Sequence, residues 1–159
     1  MSKKQHARAS LPMEDRVFIA LLKAADTLAQ EAEQVVKGNG LTGAQYNVLR
    51  ILRGAEPEGL ACSTIAERMI SHDPDMTRLL DRMEKRNLIT RQRQSDDRRV
   101  VKTRITARGL DMLRRLEQPI RALHKRQFGG MTAAQVRTLA GLLGEIVERR
   151  EKEFAGESK

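Results

Sequence analysis

Residues 73–106, DPDMTRLLDRMEKRNLITRQRQSDDRRVVKTRIT, decide the fold. Asp73 is a natural helix N-cap, the fixed φ of Pro74 suits a first helical position, and the helix dipole favours Asp75 in the first turn. Met76, Leu79, Leu80 and Met83 recur at steps of three and four, which gives a helix over 74–87 one apolar face. The opposite face then carries Pro74, Arg78, Asp81, Arg82 and Lys85, flanked by Asp75 and Thr77. Asn87 tolerates the left-handed conformation that closes a helix. The β-branched content and alternation of LITRQR (88–93) and VVKTRI (100–105) predict two strands, joined by a turn over 94–99.

The rest of the chain reads as helices. Met13, Val17, Ala20, Leu21, Ala24, Leu28, Ala32 and Val35 stripe a first helix, which ends at Gly38-Asn39-Gly40. Thr42 and Gln45 have capping-box spacing at the head of a second helix to about residue 53, and a GAEPEG loop follows. Thr64 and Glu67 repeat that spacing in a short helix over about 62–70, with Ile65, Ala66 and Met69 inward. Thr106 caps a long helix with Leu110, Leu113, Ile120 and Leu123 on one side, and Pro119 is expected to kink or divide it. After Gly129-Gly130, Thr132 and Gln135 head a last helix striped by Val136, Leu139, Leu143, Ile146 and Val147. Short helix, turn, capped helix and ribbon in immediate succession make a winged helix-turn-helix. The fold class expected is mainly α with a small β-wing. The expected organisation is a winged module over 42–106, which the charge and the resemblance given below assign to DNA binding, terminal helices over 13–37 and 107–154, which the same resemblance assigns to dimerisation, a basic arm over 1–12 and a tail over 155–159.

Charge locates the function. The 159 residues carry a formal net charge of +9 and have a pI near 10.3, a balance that favours a polyanion. Between Lys85 and Arg104 stand eight Lys or Arg and two acids, a local +6. Neutralising phosphates gives sequence-independent affinity with a steep salt dependence. Aromatic residues are only 3%, so single-stranded nucleic acid, which needs stacking platforms, is disfavoured. One cysteine excludes a disulfide framework and a multi-cysteine zinc site. The start has no apolar stretch of a secretory signal and no run spans a bilayer, so a cytoplasmic protein with no membrane partner is expected. His6, His72 and His124 have no ligand-spaced partners, so neither a metal nor another cofactor is expected. No Ser-His-Asp order, phosphate loop or carboxylate pair stands out, and an enzyme is not expected. Cys62 reads as a structural thiol rather than a redox sensor. Tyr46 is either core or the lining of a ligand cavity, and His72 faces either a phosphate or solvent.

LTGAQYNVLRIL (41–52), IAERM (65–69) and the block from Thr77 to Gly109 resemble the MarR family of winged-helix transcription regulators. The similarity covers about residues 13–150. It implies that the helix over 74–87 lies in the major groove and that Arg99, in the Asp-x-Arg wing element Asp97, Arg98, Arg99, enters the minor groove. It further implies that Asp97 holds the wing in shape and that the terminal helices dimerise. Asn87 stands where the family usually has glycine. Ala61 stands where Thr is frequent, leaving Ser63 or Thr64 to cap the short helix.

The candidate DNA-binding residues are therefore Pro74, Asp75, Thr77, Arg78, Arg82 and Lys85 on the recognition helix. On the wing they are Arg91, Arg93, Asp97, Arg98, Arg99 and Lys102. Arg91 and Arg93 share one face of the first strand, Lys102 and Arg104 one face of the second, and the ribbon flanks a phosphate track. Asp75 either tunes base choice or favours the helix N-terminus. The expected function is a homodimeric repressor of a pseudo-palindromic operator in double-stranded DNA, released by a small aromatic or anionic effector. The competing expectation is a non-specific architectural DNA binder.

Overall fold

In the computed structural model residues 11–71, 75–93 and 101–157 are described. The elements run α1 (Met13–Gly38), α2 (Gly43–Arg53), β1 (Leu60–Ala61), α3 (Cys62–Arg68), α4 (Met76–Lys85), β2 (Ile89–Arg93), β3 (Val101–Ile105), α5 (Ala107–Gln127) and α6 (Ala133–Glu157). This is the winged helix-turn-helix expected, and the chain divides into two compact units, one up to Arg121 and one from Ala122 onward.

In the first unit the apolar stripes converge on one core. Val48, Leu49 and Leu52 of α2, Ile65 of α3, and Leu79, Leu80 and Met83 of α4 are almost fully buried, as are Leu88, Ile89, Leu113 and Leu116. α2 packs on α1, α3 and β3, and α4 on α3 and β2. Burying such side chains contributes about 1.5–3 kcal/mol each relative to exposure. The three strands form an antiparallel sheet in the order β1-β3-β2. β3 is central, pairing Leu60 with Thr103 and Ala61 with Lys102 on one side, and Arg91 with Thr103 and Gln92 with Lys102 on the other. Gly59 delivers the chain to β1 at φ +69°, where a Cβ would stand 2.6 Å from the Thr103 carbonyl oxygen.

The caps show where local chemistry prevailed. Thr42 and Gln45 make both bonds of a capping box, and Thr132 and Gln135 do the same at the head of α6. Thr106 accepts from the Gly109 amide at 3.1 Å and donates to the Asn87 carbonyl oxygen at 2.7 Å, tying the start of α5 to the turn after α4. Asn87 takes φ +56°, the left-handed close expected of it.

Three expectations need correction. The cap of α4 is Asp75, which accepts from the Arg78 amide, and the helix starts at Met76; Asp73 and Pro74 lie outside the described residues. α3 starts at Cys62, so Thr64 and Ser63 sit inside its first turn. Its cap position is Ala61, which makes no side-chain bond. β1 pairing with β3 extends Leu60 and Ala61, and that decides the start. Finally, of the two outcomes expected at Pro119, division does not occur, because α5 runs through it as one helix; Leu116 and Ile120 beside the proline are buried.

The terminal stripes are only partly covered within one chain. Met13, Val17, Phe18 and Leu22 of α1, and Leu142, Ile146 and Val147 of α6, are each more than half exposed. Among the described residues no helix is long and apolar enough to cross a membrane.

Candidate nucleic-acid interface

α4 turns its apolar side inward and presents Thr77, Arg78, Arg82 and Lys85 to solvent. Asp75 does two things at its head. One carboxylate oxygen caps the helix through the Arg78 amide at 3.2 Å, and the other pairs with Arg78 Nε at 3.1 Å. The pair is exposed, so its own contribution to stability is small. Its effect is to hold the Arg78 side chain at the N-terminal end of the helix, the end whose residues read base edges in helix-turn-helix proteins.

The ribbon distributes its positive charge over both faces. Directly paired residues of an antiparallel ladder share a face. Arg91 is opposite Thr103 and Arg93 opposite Val101, whereas Lys102 is opposite Gln92 and Arg104 opposite Thr90. Arg91 and Arg93 therefore do share a face, and Lys102 and Arg104 share the other one. Arg93 and Arg104 are exposed and Lys102 is half-buried. Asp97, Arg98 and Arg99, like Pro74 and His72, fall outside the described residues.

Arg91 differs from its neighbours. Its Nε and Nη2 donate to Glu84 Oε2 at 2.9 and 2.7 Å, and Nη2 also donates to Asp81 Oδ1. Its backbone amide donates to Glu84 Oε1 at 3.1 Å. The Glu84 hydrogen bond, ahead of the opposing effect of burial, pushes the Arg91 pKa above the usual arginine value, so the guanidinium stays charged. Glu84 was not among the residues expected at the site. Neither was Arg86, whose Nη2 donates to the Gly40 carbonyl at 2.7 Å and Nη1 to Gln45 Oε1 at 3.1 Å. Those partners lie 46 and 41 residues away, so no local pattern announces them.

A groove of about 410 Å³ opens beside α2 and α3, lined by Asn47, Arg50, Ile51, Arg53, Arg68 and Ile70. Arg50 also lies over the Tyr46 ring at 5.8 Å, and Tyr46 and Cys62 are both half-buried. Among the described residues no group of His, Cys, Asp and Glu is placed to hold a metal.

The MarR family model matches residues 41–101, from the entry to α2 through the start of β3. The HTH-type transcriptional repressor IacR of Pseudomonas putida is 31% identical over 134 residues, 84% of this chain and 78% of the relative. The chain belongs to the MarR family. The homoprotocatechuate degradative operon repressor of Escherichia coli is 27% identical over 150 residues, covering 92% of this MarR-family chain and 100% of that protein. The crystal structure of a MarR transcription factor from Planctomyces limnophilus superposes with a TM-score of 0.65 at 36% identity, over 84% of this chain and 97% of that one. MarR-family transcription regulators are non-enzymatic DNA-binding proteins.

Proposed function

We propose that this MarR-family regulator is a repressor that binds a pseudo-palindromic operator as a homodimer and is released by a small aromatic or anionic effector. The observation that carries the reading is the row Thr77, Arg78, Arg82 and Lys85, exposed on a capped helix whose other face is buried. Arginine pairs bidentately with guanine in the major groove, and Arg78 stands at the correct end of the helix for it. Pro74 and Asp75 flank this row. Arg93, Asp97, Arg98, Arg99 and Lys102 form the wing's contribution, with Arg99 as the minor-groove probe, where potential is most negative. The uncovered apolar faces of α1 and α6 support a twofold dimer, and such a dimer sets its recognition helices about one duplex turn, roughly 34 Å, apart.

Release by an effector requires that the effector bind the DNA-incompetent spacing more tightly than the competent one, since equal affinity shifts nothing. Arg50 and Arg68, both lining the groove beside α2, suit an anionic group of an effector.

Footprinting the DNA that flanks this gene, followed by anisotropy titration of the protected duplex, tests the reading. The expected result is a salt-sensitive, sequence-specific complex. Arg78→Ala together with Arg99→Ala is expected to weaken it by at least tenfold, from about 1–3 kcal/mol for a lost bidentate base contact. Undiminished operator binding by that double variant contradicts the assignment. Equal affinity for random and protected duplexes replaces the repressor with an architectural binder.

A further inference from the structure

We infer that Arg91 is a positioning residue: with Glu84 and Asp81 it locks the wing to the recognition helix, and its charge is not offered to a phosphate. The inference rests on the DNA-reading function proposed above and departs from a simple count of basic wing residues.

Four bonds make the lock. The Arg91 guanidinium spans Glu84 Oε2 through Nε and Nη2 at 2.9 and 2.7 Å, and Nη2 also reaches Asp81 Oδ1. The Arg91 backbone amide takes the remaining Glu84 oxygen, Oε1, at 3.1 Å. Both the side chain and the main chain of β2 are thus held by one carboxylate of α4. Asp81 and Glu84 are three residues apart, so they project from the same side of the helix. The Arg91 side chain is 27% exposed, whereas Arg93, two residues along the same strand face, is exposed and makes no ion pair with a described residue. Contact with a phosphate would require Arg91 to abandon two carboxylates.

Chemistry explains the choice of residue. A planar guanidinium fork fixes direction as well as charge, which the point charge of a lysine does not. Without Arg91, α4 would present two uncompensated carboxylates beside the strand meant to flank DNA. With it, helix and ribbon share one orientation, so the spacing between a base-reading Arg78 and a phosphate-contacting Arg93 is set before DNA arrives. Preorganisation of this kind strengthens specific binding and leaves non-specific binding nearly untouched.

The test compares salt dependence with affinity, using the protein's own footprinted duplex and a scrambled duplex of equal length. Each phosphate neutralised contributes about 0.9 to the slope of log K against log salt concentration. Arg91→Ala and Glu84→Gln are each expected to weaken specific binding by tenfold or more, several times more than scrambled-duplex binding, with an unchanged slope. Arg93→Ala, the comparison, is expected to lower the slope by about 0.9 and to weaken both duplexes. Exchanging the pair, Glu84→Arg with Arg91→Glu, keeps net charge and is expected to recover specific binding relative to either single change. A slope reduced by Arg91→Ala, or tighter binding after Glu84→Gln, overturns the inference, because both are the marks of an arginine that contacts phosphate. Hydrogen exchange on the free protein reads the lock without DNA. In Glu84→Ala, which removes the acceptor altogether, the Arg91 amide is expected to exchange at least tenfold faster while α2 is unchanged; equal exchange overturns the lock. A wild-type protein that does not distinguish the two duplexes removes the repressor function instead, and the exchange experiment still decides the lock.

Discussion

Asn87 closes α4 at φ +56°, a conformation that costs most L residues about 1–2 kcal/mol and glycine almost nothing. Asn87→Ala is therefore expected to lower unfolding free energy by about 1 kcal/mol and Asn87→Gly to leave it nearly unchanged, as read by urea denaturation. Gly109 is a different case, because its backbone is ordinary and its surroundings are not. A Cβ there would press on the Leu88 carbonyl oxygen and stand 2.7 Å from Ile105 Cγ1. Gly109→Ala is expected to cost about 1–3 kcal/mol by overpacking, with the denaturation slope unaltered. Asn87 is legible in the sequence because its residue type matches a local need at a helix end. The requirement at Gly109 arises only when α5 is laid against the turn and β3, so no pattern along the chain signals it.

Among the elements, α4 takes both its cap and an ion pair from one side chain. Asp75 caps it and pairs with Arg78. Asp75→Ala is expected to lower stability by about 1 kcal/mol, while Asp75→Asn, an equally good cap, stays within a few tenths; thermal melting followed by circular dichroism distinguishes them. The helical faces, the two capping boxes at Thr42 and Thr132, and both long strands of the wing followed from spacing and residue type. β1 did not: two residues are too few to show alternation, and Leu60 and Ala61 are a strand only because β3 passes beside them. That pairing leaves Ala61 in the cap position of α3 and Thr64 without a capping role. The candidate site was legible to the same degree. The periodicity of α4 placed Thr77, Arg78, Arg82 and Lys85 on its outer face, but it could not separate the exposed Arg93 from the engaged Arg91.

At the scale of the molecule, the apolar side chains left uncovered argue for a partner copy. Phe18 of α1 is 62% exposed and Ile146 of α6 51%, large apolar side chains that a lone helix has no reason to carry. Light scattering is expected to give about twice the 18.0 kDa chain mass. Phe18→Glu with Ile146→Glu is expected to return it to the single-chain value, since a charge buried without a partner costs several kcal/mol. A wild-type monomer at micromolar concentration contradicts the twofold operator arrangement.

By itself the sequence determined which residues turn inward, where most helices begin and end, where the positive charge gathers, and the family resemblance that these patterns carry. Only the tertiary structure decided what the arginines do. Arg78 is held by a cap, Arg86 by the corner between α1 and α2, Arg91 by two carboxylates of α4, and Arg93 is left exposed. The reason is physical: periodicity and capping are set within a few residues along the chain, whereas a guanidinium takes whichever acceptors the packing and strand register bring within reach.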